Sequence, residues 1–178
     1  VEFGMVHSDS HYLASNGVKD WKASDLQKDL RSICSFHVES LALVAADDAG
    51  ISCLEDLKGK TISIGSFGSC QRINAKDALK STDIDHHDDI DAISMKTDEQ
   101  AAAFLTGKID AFFVTVGPPS RCIKDVACGK RTVHFVPLSG LQIDKLIEKK
   151  PYYTRAVIPV GHYPQVSNKE DVETIGVK

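Results

Sequence analysis

Thr61-Ile62-Ser63-Ile64-Gly65-Ser66-Phe67-Gly68-Ser69 joins an apolar, β-branched run to a glycine-containing turn, and the residues beyond it change period. Thr61 to Ile64 alternates as a strand does, whereas Ile73, Ala78 and Leu79 recur at helical spacing and make the buried face of a helix. A strand, a tight turn and a helix in that order are the unit from which α/β sheets are built. Such a turn also aims free backbone N–H groups and the positive end of the helix dipole at one point, which attracts anions. The stretch lacks the Gly-Lys-Ser/Thr ending of a P-loop and the three glycines of a dinucleotide fingerprint. It therefore points to a carboxylate rather than to a nucleoside triphosphate or NAD. Glycine at a strand end also serves merely to reverse the chain, and both uses are open at this stage.

The same grammar extends outward. Ser52 and Glu55 have capping-box spacing, Leu54 and Leu57 supply an apolar face, and Gly59 stands where a short helix stops. Asp91-Ala92-Ile93-Ser94 reads as a second strand, followed by a capping box at Thr97 and Gln100, a buried turn at Ala103, Phe104 and Leu105, and a stop at Gly107. Ala111-Phe112-Phe113-Val114 is apolar without alternation, as a strand covered on both faces requires. After Gly117-Pro118-Pro119 a helix should run to about Ala127, capped by Gly129, and Val133-His134-Phe135-Val136 completes a compact, mainly parallel sheet. Loops at the carboxyl ends of parallel strands border a ligand crevice, so Val114-Thr115-Val116-Gly117 should share a rim with the turn at Gly65 to Ser69.

The flanks carry weaker signals: Phe3 to Val6, a polar stretch around Asn16-Gly17, a helix over 26–30 and the long apolar strand Leu41-Ala42-Leu43-Val44-Ala45-Ala46. Beyond Val136 come a helix over 142–148, the strand Ala156-Val157-Ile158 and a polar segment ending in Val172 to Val177. Three segments result: 1–45, which ends on an outgoing hinge strand; 46–138, a complete α/β lobe; and 139–178, a helix and a return. With 42% hydrophobic and 26% charged residues the 178-residue chain has the balance of a folded domain, which excludes a disordered one. Its net charge of −4, with acids and bases interleaved, offers no basic stripe and excludes nucleic acid as a partner. The purest apolar run, 41–46, is too short to span a bilayer. The chain opens on Val1-Glu2-Phe3, so any export leader is expected to have been removed.

Cys34, Cys53, Cys70, Cys122 and Cys128 form no CxxC or zinc-ligand spacing, and an odd number cannot all pair within one chain. They read mostly as buried apolar thiols. Cys122 and Cys128 could pair only if the last turn of their helix unwound. His7, Asp9 and His11 would share one face of an extended strand, but no metal site is assigned there, since zinc ligands normally come from separated segments. His86-His87-Asp88-Asp89 reads as a solvated turn.

Four ordered motifs resemble the TAXI family, the solute receptors of TRAP-type secondary transporters. The 61–69 stretch with Arg72 and Asn74-Ala75 is similar to that family's second-lobe loop, and Phe3-Gly4-Met5-Val6-His7-Ser8-Asp9 to its first-lobe strand ending in Gln-Ser-Asp. Ile109-Asp110-Ala111-Phe112-Phe113-Val114 with Gly117 and Pro119 resembles its second ligand loop. Pro151-Tyr152-Tyr153 through Ile158-Pro159, with Gly161-His162-Tyr163-Pro164, resembles its return to the first lobe. The resemblance implies a type II periplasmic-binding-protein fold of two α/β lobes, one nearly complete and the other partial. It implies a periplasmic receptor, not an enzyme, that takes a small organic anion, an amino acid such as glutamate or a dicarboxylate, and passes it to a membrane permease without any cofactor. Relative to the family the chain lacks the first strand and glycine-rich loop of the first lobe and the closing helices. It has Gly68-Ser69-Cys70-Gln71 where Gly-Ser-Gly-Thr is usual, and His7 where a glutamine is usual.

On that reading Gly68, Ser69, Cys70 and Gln71, with Asn74 behind them, present donors to the anion. Thr115, Val116 and Gly117 form the opposite wall, and Ser8 and Asp9 close from the first lobe. Asp9 repels a carboxylate, so it suits an ammonium group or a loop-orienting role. The alternatives are an enzyme on the same fold with His7, His37 or Cys70 as its reactive group, and a non-transporting, immunogenic surface protein.

Overall fold

A computed structural model describes residues 3–17 and 26–178. The first expected segment, 1–45, thus includes residues outside the described ones. The chain begins with helix α1 (Ser8–Asn16), stopped by Gly17 in the left-handed region, whose N–H bonds back to the Leu13 carbonyl. It then enters strand β1 (Glu39–Ala46), 3₁₀ turns at Asp47–Ala49 and Leu54–Leu57, and β2 (Thr61–Ser63). Helix α2 (Cys70–Ser81), β3 (Asp91–Ile93), α3 (Thr97–Leu105) and β4 (Ala111–Val116) follow. Then come α4 (Arg121–Ala127), β5 (Val133–Val136), α5 (Leu141–Lys149), β6 (Thr154–Ile158) and β7 (Val172–Val177).

Seven strands form one mixed sheet in the order β3-β2-β4-β1-β7-β6, with β5 also paired to β1. β2 runs parallel to both β3 and β4, with Ile62 opposite Ala111. β1 runs antiparallel to β4, with Leu43 opposite Phe113, and antiparallel to β5 and β7 along its other edge. The sheet is therefore mixed and not mainly parallel. Continuous apolar sequence reports burial on both faces and carries no information about strand direction. Ala42 through Ala46, Phe112 and Phe113 are fully buried at the centre, and one apolar cluster extends from Leu41 through Phe104 and Phe135 to Ile175 and Val177.

Several local expectations change. The 26–30 stretch holds a turn and no helix, 3–6 is exposed, and 3–7 lies outside any strand, so His7, Asp9 and His11 sit at the start of α1 and do not line one face of a strand. With Leu13 and Ala14 its only buried apolar residues, α1 has too few apolar positions to announce a helix. At the two proposed capping boxes the carboxylate lies one residue from the expected position. Asp56 accepts from the Ser52 and Cys53 amides, and Glu99 accepts from the Lys96 amide at 3.0 Å. Gln100, freed from that role, is fully buried and donates to Ser63 Oγ and the Phe113 carbonyl. The cysteines are free: Cys34, Cys53 and Cys128 are exposed, while Cys70 and Cys122 are half-buried. No helix among the described residues is long and apolar enough to cross a membrane.

Candidate functional site

The turn leaving β2 is built by two glycines in the left-handed half of backbone space, Gly65 at φ +93° and Gly68 at φ +75°. A Cβ on Gly65 would come within 3.0–3.2 Å of the Gln71 side chain and the Arg72 amide, whereas one on Gly68 would meet nothing within 4 Å. Ser69 then caps α2. Its Oγ accepts from the Arg72 amide at 3.2 Å and donates to the Ser66 carbonyl at 2.8 Å. The amides of Cys70 and Gln71, in the first turn of that helix, have no intrahelical carbonyl to bond. Arg72 is buried, bonds the Gly65 carbonyl at 3.2 Å and lies 4.3 Å from the centre of the exposed Phe67 ring. It braces the turn from behind.

The expected site residues separate into two groups. Gln71, Asn74 and Ser8 have their side chains engaged by the protein. The Gln71 amide donates to the Phe113 carbonyl at 2.7 Å. Asn74 is buried between Thr115 Oγ1, at 3.5 Å, and the Tyr153 hydroxyl, at 2.9 Å. Ser8 Oγ donates to the Tyr152 carbonyl and accepts from the Lys178 amide, tying the start of α1 to the end of β7. Burial, with the Asp77 carboxylate alongside, pushes the Tyr152 and Tyr153 hydroxyls up and keeps both protonated.

The second group meets at the N-terminus of α2. Ser10 Oγ lies 2.9 Å from Cys70 Sγ, and His7, Asp9 and Cys70 each place one donor atom within 4.8 Å of the other two. His7 Nε2 is 3.0 Å from Glu39 Oε2, and His37 Nε2 is 3.7 Å from the other oxygen of the same carboxylate. His37 also covers the end of β4, where a Cβ on Gly117 would meet its ring at 3.2 Å. The Cys70 sulfur, acting against burial and helped by Glu39 and Asp9, pushes His7 up to about 9. Asp9 is fully buried; its Oδ1 accepts from the Ser10 amide at 2.6 Å, while Oδ2 has no hydrogen-bond partner. Thr115, Val116 and Gly117 are half-buried at the end of β4, which runs parallel to β2, so they lie at the same end of the sheet as the 65–69 turn.

Sequence reasoning missed Ser10 and Glu39. Glu39, as the charged first residue of an otherwise uncharged strand, was the one available sign. A surface hollow of about 450 Å³, lined by Pro137, Ser139 and residues 168–173, shares no residue with this cluster.

The chain belongs to the NMT1-like family, whose model matches residues 1–178. Its fold is a mixed α/β sheet with covering helices. Similar solved structures include the periplasmic aliphatic sulphonate binding protein SsuA from Escherichia coli, at 21% identity and TM-score 0.43 over 56% of this chain and 33% of that one. Another is an ABC transporter periplasmic binding protein from Brucella ovis with glutathione bound, at 18% identity and TM-score 0.41 over 65% and 38%. The amino acid ABC transporter substrate-binding protein AbpA from Streptococcus pneumoniae, bound to L-arginine, matches at 11% identity and TM-score 0.41 over 81% and 45%. The chain thus spans less than half the length of each of these three.

Proposed function

We propose that the protein is a periplasmic solute receptor that holds a small organic anion, an amino acid such as glutamate or a dicarboxylate, for uptake by a TRAP-type transporter. One observation carries the reading: the turn after β2 delivers the open, Ser69-capped N-terminus of α2 to the rim formed by Thr115, Val116 and Gly117. Helix amides and the dipole at such a point stabilise one anionic head group. Residues 46–138 supply this wall, and α1 packs against it at the N-terminus of α2. Phe3, Met5, Ile33 and Phe36, all exposed, fit a surface that a fuller first lobe would cover. The resemblance of four ordered motifs to the TAXI receptors supports the transporter class. Calorimetry with glutamate, dicarboxylates, alkyl sulfonates and the matching amides tests the reading. Near-micromolar binding, about 8 kcal/mol, that weakens on amidation is the expected result. Equal binding of acids and amides would overturn it.

A thiol-dependent enzyme is the second reading, favoured by the placement of His7 between Cys70 and Glu39. Turnover of a bound compound that disappears in Cys70→Ser would establish it. Recovery of the compound unchanged would dismiss it.

A further inference from the structure

We propose that His7, Asp9 and Cys70 bind a divalent transition-metal ion of the zinc class. The three residues come from the cap and first turn of α1 and the first position of α2, and one donor atom of each lies within 4.8 Å of the others. Metal–ligand bonds of about 2.0–2.3 Å give a tetrahedron with edges of roughly 3.3–3.8 Å. His7 Nδ1 and Asp9 Oδ1 are already 4.0 Å apart, so small side-chain rotations close the set. One imidazole, one carboxylate and one thiolate suit a borderline-soft ion and not a hard one such as calcium or magnesium.

Two features make this more than a chance cluster. Asp9 is fully buried, and its Oδ2 has no hydrogen-bond partner. A buried carboxylate oxygen left without a hydrogen bond is costly, and an ion beside it removes that cost. His7 Nδ1 is likewise buried without a hydrogen-bond partner, while Nε2 faces Glu39 at 3.0 Å. A carboxylate on the far nitrogen is the arrangement that orients an imidazole toward a metal. Three protein ligands leave a fourth position for an exogenous group. If the receptor reading holds, the ion supplies the positive charge that an anion needs next to Asp9; that consequence rests on the receptor reading, and the metal site does not.

The test is titration of the chelator-stripped chain with Co²⁺ alone, followed by competition with Zn²⁺. One ion per chain is expected, with a thiolate-to-cobalt charge-transfer band that zinc abolishes. The band should persist in a Cys34→Ser, Cys53→Ser, Cys128→Ser variant and vanish in Cys70→Ser. His7→Ala and Asp9→Asn should each weaken Co²⁺ roughly tenfold or more, with circular dichroism confirming that every variant is folded. Absence of the band, its survival in Cys70→Ser, its loss with the exposed cysteines, or unchanged affinity in both His7→Ala and Asp9→Asn would overturn the proposal. No organic anion is present in this titration, so its failure is distinct from failure of the amidation series.

Discussion

Replacing Gly65 by alanine separates two costs that usually travel together. A non-glycine residue at a left-handed φ costs about 1–2 kcal/mol, and Gly65 sits at φ +93°. Its new Cβ would also fall 3.0 Å from Gln71 Nε2 and 3.2 Å from the Arg72 amide nitrogen. Gln71 can give way only by loosening its 2.7 Å bond to the Phe113 carbonyl, worth about 1 kcal/mol. The total is roughly 2–3 kcal/mol. Gly68→Ala supplies the reference, because φ is +75° there but the space is open, so only the conformational cost of about 1–2 kcal/mol applies. The gain from stiffening the unfolded chain is common to both substitutions and cancels in the comparison. Gly65→Ala should therefore melt lower than Gly68→Ala by roughly 2–4 °C for a chain of this size. Thermal and urea unfolding followed by circular dichroism would measure the difference. Equal melting points would show that Gln71 does not wedge the turn against β4.

At Gly68 a bulkier β-branched side chain, Gly68→Val, should abolish anion binding in calorimetry while a cooperative unfolding transition remains; unchanged affinity would make the turn purely architectural. Gln100→Leu strands the Ser63 hydroxyl and removes one of two donors to the Phe113 carbonyl, so urea unfolding should show a loss of about 1–3 kcal/mol. Although burial opposes it, hydrogen bonding from His134, Ser167 and Thr132 holds the Asp47 carboxyl below its usual range. Its stabilisation is accordingly full above the unfolded carboxyl value of about 3.9 and lost as pH falls through the lower folded value. Urea midpoints measured from about pH 6 downward should fall less steeply in Asp47→Asn than in the parent, and parallel curves would contradict the linkage.

The strands and helices from Thr61 to Val136 were legible because their punctuation is local: Gly59 and Gly107 both adopt the left-handed stops expected of them. What could not be read depended on distant partners. The direction of β1 is set by β4, β5 and β7, all later in the chain, and the side chains of Leu41 through Ala46 would look the same in either direction. Capping was legible as a spacing but not as an address, since Asp56 competes with Glu55 and Glu99 with Gln100, and burial beneath the sheet decides the second case. Gly68, Ser69, Cys70 and Thr115 to Gly117 were singled out in sequence because turn and strand-end chemistry marks them, and they lie after β2 and at the end of β4. The approach of α1 to Cys70, and with it the part played by Ser10 and Glu39, is a tertiary fact that no local pattern encodes.

The position of β1 also bears on how the molecule is made. It leaves the ribosome before every strand it pairs with, and its partners run from Ala111 to Val177. Until those arrive, Leu41 through Ala46 is a charge-free, proline-free segment with both hydrogen-bonding edges bare, the composition of a self-associating strand. Closure of the sheet requires contacts distant in sequence, which makes it slow and leaves the nascent chain dependent on shielding of that segment. Charge introduced at the strand's margin should ease recovery of soluble protein only outside the fully buried stretch, and Glu39, half-buried at its first residue, already serves as such a gatekeeper.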